Sequence, residues 1–150
     1  MIGLRHATIA DSDRLLRWRN DVGTMRAFWN TQPITKEEHD RWMQFHVLNG
    51  YPTHLVLIAE GDSGPIGVVR FDAKRKDVMT YDVSITIAPE YRDKGYGHSV
   101  LQAACDTMPE VTIRADVKDW NIASRRIFLR CGFEETGNED GVVSYERGPR

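Results

Sequence analysis

Residues 91–98 form the segment with the clearest chemical potential, because Gly95 and Gly97 stand two apart between a predicted strand and a predicted helix. Glycine lets a ligand approach the main chain, so consecutive N–H groups can converge on a phosphate. The helix that follows would add the positive end of its dipole, and Arg92 and Lys94 would add countercharge. The segment predicts a phosphate-binding turn, although a plain surface turn would use the same glycines.

Several other chemistries are excluded by their missing motifs. A dinucleotide-binding fold would need a third glycine and an early position in the chain, and a P-loop would need Gly-Lys-Ser/Thr. Neither pattern is present. Cys105 and Cys131 belong to no Cys-x-x-Cys or Cys/His cluster, and no His-Glu-x-x-His occurs. We therefore expect no metal and two reduced cysteines that serve in packing.

The elements that must position the glycine turn alternate along the chain. Period-two and helical patterns, with capping side chains at Asp11 and Thr35, predict a mixed α/β order. Predicted strands cover residues 2–9, 54–60, 66–71, 79–88, 111–117 and a closing hairpin from 133 through 142–145, and predicted helices cover 11–20, 35–46, 97–108 and 121–130. No linker or repeat interrupts the 150 residues, which predicts a single domain, 1–150.

Composition argues against whole classes of partner. The chain has 20 Lys and Arg against 22 Asp and Glu, a net charge of -2, which is too balanced for a dedicated nucleic-acid binder. No apolar run is long enough to cross a bilayer, and the N-terminus turns polar too early for a signal peptide. We expect a cytoplasmic protein with no nucleic-acid or membrane partner. The apolar pattern leaves a homodimer open.

Two motifs, in this order, resemble the GCN5-related N-acetyltransferases (GNAT family). They are Arg92-x-x-Gly95-x-Gly97 after the strand end Ile87-Ala88-Pro89, and Asn121-x-x-Ser124 followed by Arg130-Cys131-Gly132-Phe133. The resemblance implies a mixed α/β (α+β) fold, a twisted sheet of about seven strands flanked by about four helices. It also implies an enzyme that moves an acetyl group from its cosubstrate, acetyl-CoA, to a primary amine.

The same resemblance assigns residues to acetyl-CoA. Main-chain groups of Ile85 and Ile87 would pair with the pantetheine arm, as an added strand pairs with a sheet edge. Asn121 would bond to the pantetheine region, a role compatible with a plain helix N-cap, and Arg130 would lie near the adenosine. The pyrophosphate would bind the glycine turn, at Arg92, Lys94, Gly95, Tyr96, Gly97 and His98.

The catalytic residues depart from the family pattern. Many members carry a tyrosine acid where this chain has Phe128, which cannot donate a proton. Ser124, one turn earlier, is the nearest hydroxyl and our candidate acid, unless it bonds back to its own helix. Asp82 is a candidate base, and Tyr81 could order a substrate or a water. Other candidates for the base are Glu37, Glu38, His39 and Glu90.

The N-terminal third would choose the acceptor, because in the family it covers the side of the cleft opposite CoA. It resembles the subgroup that acetylates the 4-amino group of UDP-linked amino sugars. Candidate acceptor-binding residues are Arg19, Asn20, Asp21, Trp29 and His39, and aromatic rings such as Trp18 and Trp42 could stack on a sugar unless they only fill the core. Two alternatives stay open: acetylation of a protein N-terminus, as in the ribosomal-protein enzymes, and a CoA-binding module without turnover.

Overall fold

A seven-stranded mixed sheet forms the centre of the molecule. The computed structural model describes residues 2–74 and 77–150. The strand order is β1-β2-β3-β4-β5-β7-β6, and only β4 and β5 pair in parallel among the described residues. The strands are β1 Gly3–His6, β2 His54–Gly61, β3 Gly64–Lys74, β4 Asp77–Ile87, β5 Thr112–Lys118, β6 Glu134–Glu139 and β7 Val142–Arg147.

Five α-helices are found in the described part of the chain: α1 Ser12–Arg19, α2 Val22–Ala27, α3 Lys36–Trp42, α4 Tyr96–Asp106 and α5 Ile122–Arg130. Helix α2 lies between the predicted helices 11–20 and 35–46, where none was predicted, and its N-cap is Asp21, whose carboxylate accepts from the Thr24 N–H. Helix α3 ends earlier than expected and continues as a π-helical turn, Met43–Leu48. None of the described helices has the length and apolar character needed to span a bilayer.

Local capping explains where two of these elements begin. Thr35 and Glu38 form the expected capping box, with Glu38 N–H donating to Thr35 Oγ1 at 3.1 Å and Thr35 N–H donating to Glu38 Oε1 at 3.2 Å. Asp11 stands at the N-cap position of α1, as predicted, but its side chain does not cap the helix. Its buried carboxylate accepts from the Thr8 N–H and two Arg5 nitrogens, each at 2.8 Å, so strand β1 ends at His6 and a 3-10 turn follows.

Both faces of the sheet are covered, which is why the middle of β2 is buried without interruption from Val56 to Ala59. Alternate side chains enter different cores. Leu57 and Ala59 pack in the larger core under α4 and α5, whereas Val56 and Ile58 pack in the smaller core with α1 and the π-helical turn. The two sets of helices therefore approach the central strands from opposite sides.

The central strands separate after a short contact. Strands β4 and β5 pair over only three residues each, Thr80 to Asp82 against Thr112 to Arg114. Beyond Asp82, β4 continues for five residues and β5 for four without pairing to each other. The sheet thus opens into a V-shaped cleft at its middle, with the glycine turn and α4 beginning at the end of β4.

Candidate active site

The V-shaped cleft holds a cavity of about 330 Å³. We call it the donor cavity. It is bounded by the unpaired ends of β4 and β5, by α2, and by one side of α5. Its walls include Thr24, Phe28, Trp29, the run Val83–Ile87, Arg92, Gly97, the run Asp116–Lys118, Trp120, Asn121, Ser124, Ile127 and Phe128.

The edge of β4 that faces the donor cavity carries unused main-chain groups. The N–H of Ala88 donates to Ile66 O on β3 at 2.8 Å, and antiparallel pairs alternate between bonded and non-bonded positions. The main-chain groups of Ser84 and Thr86 therefore form hydrogen bonds with β3. Those of Ile85 and Ile87 point the other way, toward the cleft. Ile87 O already accepts from Arg92 Nε at 3.1 Å, which leaves Ile85 as the more available of the two.

The two glycines of the turn have different structural roles. Gly95 is the N-cap of α4 in the left-handed region, with φ 81°, and a Cβ there would meet open space. Gly97 is buried, and a Cβ there would lie 2.6 Å from Ile127 Cδ1. Gly95 therefore allows a ligand to reach the helix N-terminus, while Gly97 lets α5 pack closely against α4.

Three more residues predicted for the pyrophosphate remain at the turn. Lys94 is exposed, with its Nζ 5.8 Å from the centre of the Tyr91 ring. The Tyr96 ring meets the Tyr91 ring edge to face at 6.0 Å, and the carbonyl of His98 accepts from Cys131 Sγ. Lys94 is thus the exposed cation at the mouth of the turn.

Arg92 does not present its guanidinium to the turn. Its Nη1 donates to Asp21 Oδ2 at 2.9 Å, its Nη2 to Thr24 Oγ1 at 2.7 Å, and its Nε to Ile87 O. Burial alone would raise the pKa of the Asp21 carboxyl, but the hydrogen bonds from Arg92 and Thr24 hold that pKa below its usual value. All three guanidinium nitrogens are therefore used to fasten α2 to the end of β4.

Helix α5 supplies a hydroxyl to the donor cavity. Asn121 caps the helix, its Oδ1 accepting from the Ser124 N–H at 3.2 Å, as the N-cap interpretation expected. Both residues line the donor cavity. Among the described residues the Ser124 hydroxyl has no hydrogen-bond partner, so it is not bound back to its own helix. Phe128 stacks on Tyr145 at 5.8 Å and closes the wall behind it.

Three other predicted residues lie outside both cavities. Tyr81 is buried in the larger core, where its hydroxyl donates to Pro52 O at 2.8 Å. Asp82 lies at the closed end of the V, with an oxygen 3.6 Å from Arg114 Nη1. Arg130 is exposed in the last turn of α5. The structure therefore brings neither Tyr81 nor Asp82 into the wall of a cavity, and the adenosine contact of Arg130 stays a prediction.

A second cavity, of about 250 Å³, lies between α1, α3 and the opposite face of β3 and β4. We call it the acceptor cavity. It shares Phe28, Ser84 and Thr86 with the donor cavity, so the two spaces meet at β4. The other wall residues are Leu15, Trp18, Arg19, Ile34, Glu38, His39, Trp42, Val68 and Arg70.

Two of the five predicted acceptor residues lie in the wall of this cavity. Arg19 donates through Nη2 to Asn30 O at 2.8 Å and lies 4.6 Å from the centre of the Phe28 ring. His39 is buried, with Nε2 2.9 Å from Ser12 O and its ring stacked on Trp42. Burial lowers the pKa of His39, and the hydrogen bond to Ser12, which raises the pKa, offsets only part of this effect. The ring is therefore neutral at pH 7.

The other three predicted acceptor residues serve elsewhere. The Asn20 amide donates to Ile34 O at 3.0 Å and accepts from the Ile34 N–H at 2.9 Å, which fixes the loop before α3. Asp21 belongs to the Arg92 clamp. Trp29 is 58% exposed and lines the donor cavity instead.

Arg70 is a wall residue that sequence reasoning missed. Its Nη2 donates to Asp72 Oδ2 at 2.8 Å, and the other Asp72 oxygen is 2.7 Å from His54 Nδ1. His46, His54 and Asp72 bring ligand atoms within 4.8 Å of one another, but the Asp72 oxygens are already used by Arg70 and His54. The alternation of charge along β3 is the signal that could have placed Arg70 on the same face as Asp72.

The site combines splayed central strands, a glycine turn at a helix N-terminus and a second cavity that meets the first at one strand. These features define a transferase that brings a donor and an acceptor together. The family model described as "Acetyltransferase (GNAT) domain" matches residues 2–134, and the chain belongs to this family. It is an N-acetyltransferase that uses acetyl-CoA as cosubstrate and acts on amines. The alternative of a binding module without turnover is therefore set aside.

Three relatives illustrate the similarity. YwnH of Bacillus subtilis (strain 168), provisionally named a phosphinothricin acetyltransferase, is 27% identical over 124 residues, covering 78% of this chain and 74% of that protein. A crystal structure of a protein provisionally named a phosphinothricin N-acetyltransferase is 24% identical, with TM-score 0.82 and coverage of 100% and 99%. Spermidine N-acetyltransferase from Vibrio cholerae, in complex with CoA and spermine, is 20% identical, with TM-score 0.81 and coverage of 97% and 92%. None of the three is named for an amino sugar or a ribosomal protein.

Proposed function

We propose that acetyl-CoA lies in the donor cavity and that a small amine lies in the acceptor cavity, with acetyl transfer at the β4 junction. The observation that carries this proposal is that the two cavities share Ser84 and Thr86 on β4. Acetyl-CoA, when bound, supplies a thioester carbon that an amine can attack. The main-chain N–H of Ile85, on the cleft edge of β4, donates to the thioester oxygen as that oxygen gains negative charge.

The contacts of the predicted sugar-binding residues favour a small acceptor over a nucleotide-linked amino sugar. Asn20 fixes the loop at Ile34 and Asp21 binds Arg92, so both side chains are already occupied. Trp29 lines the donor cavity and not the acceptor cavity.

Ser124 is the proposed general acid. Its hydroxyl has no partner among the described residues and lies in the wall of the donor cavity. As the bond between nitrogen and the acetyl carbon forms and the carbon–sulfur bond breaks, the hydroxyl gives its proton to the departing thiolate and takes up the proton that the nitrogen loses, so the serine ends the step neutral. General acids of this kind contribute roughly 10²- to 10⁴-fold to the rate.

His39 is the proposed base for the acceptor amine. The Ser12 carbonyl can only accept, so Nε2 carries the ring proton and Nδ1 keeps the lone pair. A neutral imidazole with a free nitrogen can remove a proton from an ammonium group. Glu38 is the one acidic side chain among the described wall residues of the acceptor cavity, and its Oε1 already accepts from the Thr35 N–H.

Thiol release from acetyl-CoA with a panel of small amines tests this proposal. Ser124→Ala should lower kcat by roughly 10²-fold at pH 7. Ser63→Ala, in the exposed turn between β2 and β3, is the matched control and should match the wild type. An unchanged kcat in Ser124→Ala would remove Ser124 from the mechanism, and turnover with a UDP-4-amino sugar but with no small amine would restore the amino-sugar assignment.

A further inference from the structure

Three buried hydrogen-bond donors in the wall of the acceptor cavity lack a protein partner. They are Trp18 Nε1, Arg19 Nη1 and Arg70 Nε. Only five such side-chain atoms occur in the described part of the chain, and three of them belong to residues that line this one cavity. Indole and guanidinium nitrogens can only donate. The group that would satisfy them must therefore be an acceptor.

The charge of the cavity wall points the same way. Arg19 and Arg70 are both cations, and Glu38 is the only carboxylate among the described wall residues. Glu38 is exposed and already accepts from the Thr35 N–H. Burial and the charge of Arg70 both lower the pKa of Arg19, as expected for two cations that share one cavity without a full counterion.

Both guanidinium groups are held in place from one end. Arg19 is anchored at Nη2 by Asn30 O and lies over the Phe28 ring. Arg70 is anchored at Nη2 by Asp72 and lies 5.5 Å from the centre of the Trp42 ring. Stacking and a single anchor fix the plane of each guanidinium and leave its other nitrogens for a ligand.

We propose, building on the proposed function, that the acceptor amine carries a carboxylate or a similar anionic group, and that Arg19 and Arg70 bind this group while the amine points toward β4. Trp18 Nε1 would supply a third hydrogen bond. Polyamines, which carry no anion, would meet two like charges in this cavity.

The register of the sheet places Arg70 beside the junction of the two cavities. Arg70 stands directly opposite Ser84, one of the residues that the two cavities share. An anion bound by Arg70 therefore lies in the same cavity as the junction, and α-amino acids, with one carbon between carboxylate and amine, are the first small substrates to test.

Matched substrate pairs test the proposal. Thiol release would be measured with L-amino acids and L-phosphinothricin, with the amines obtained by removing the carboxylate from each amino acid, and with spermidine. We expect KM for the best amino acid to be lower by roughly 10- to 100-fold than KM for its decarboxylated amine. Equal or better use of the amines without an anion would overturn the proposal while leaving the N-acetyltransferase assignment intact.

Variants separate recognition from a structural role. Arg70→Met and Arg19→Met should each raise KM for the amino acid by roughly 10-fold or more and leave KM for the decarboxylated amine within about twofold. Arg70→Lys should recover part of the loss, and Arg17→Met, exposed on α1, should behave as the wild type. A similar rise in KM for both members of a pair, in variants with unchanged circular dichroism, would overturn the assignment. No turnover with any amine, despite acetyl-CoA binding, would instead contradict the proposed function.

Discussion

Arg92 was predicted to contact the pyrophosphate, but in the structure it fastens α2 to the end of β4. We therefore predict that Arg92→Met mainly destabilises the fold. The change removes three hydrogen bonds whose donor is the charged guanidinium, one each to Asp21, Thr24 and Ile87 O. Bonds to charged groups contribute about 1.5–3 kcal/mol each when buried, and solvent screening reduces this where the partners are exposed. Because Arg92 and Asp21 are about one-third and one-quarter exposed, we expect the free energy of unfolding to fall by about 3 kcal/mol in total.

The assay for this prediction is thermal and urea unfolding of the variant. For a chain of this size a loss of about 3 kcal/mol lowers Tm by about 6–12 °C. Asp21→Asn combined with Arg92→Met should cost less than the sum of the single changes, since both remove the same contact. Lys94→Met, in the same turn but exposed, should leave Tm unchanged. An unchanged Tm for Arg92→Met, with KM for acetyl-CoA raised roughly 10-fold, would refute the clamp and restore the phosphate contact.

Three further predictions follow from buried groups. The pKa of Asp11 is lowered to about 2, chiefly by its hydrogen bonds from Arg5, so its contribution of about 2 kcal/mol is complete above pH 4 and is lost as the pH falls through 2; Asp11→Asn should flatten the urea-unfolding profile in that window, whereas exposed Asp13→Asn should not. Burial raises the pKa of Cys105 to about 12, so neither Cys105 nor Cys131 should react with a thiol reagent at pH 8 until urea unfolds the chain; fast reaction of the native protein would contradict the packing. Gly97→Ala should cost no more than about 1 kcal/mol by urea unfolding, because its Cβ would meet only the terminal Cδ1 of Ile127, which can turn aside, and alanine favours the helix; a loss of about 3 kcal/mol would mean that Ile127 is fixed in place.

Elements governed by short-range signals were predictable from the sequence. The capping box at Thr35 and Glu38 needs only residues three apart, and the structure confirms it. The alternation in β4 likewise predicted a strand ending before Pro89. Helix α2 was missed because six residues without an apolar stripe carry little periodicity, and its start depends on the Asp21 cap.

Within the candidate site, too, the residues placed by local signals were predictable and those placed by long-range contacts were not. The N-cap at Asn121 and the open glycine at Gly95 follow from their place at helix starts, which the sequence shows directly. The partners of Arg92 lie 68 and 71 residues away, and no local pattern reveals them. Arg70 was missed because its place beside the junction depends on the pairing of β3 with β4. The separation of β4 from β5 is also a tertiary feature that spacing cannot show.

A crystal structure with CoA and an L-amino acid bound together would test the proposed arrangement of donor and acceptor. We expect the pantetheine arm along β4 at Ile85, the sulfur within reach of the Ser124 hydroxyl, and the carboxylate on Arg19 and Arg70 with the amine at the β4 junction. An amino acid bound outside the acceptor cavity, or a CoA sulfur remote from Ser124, would contradict it.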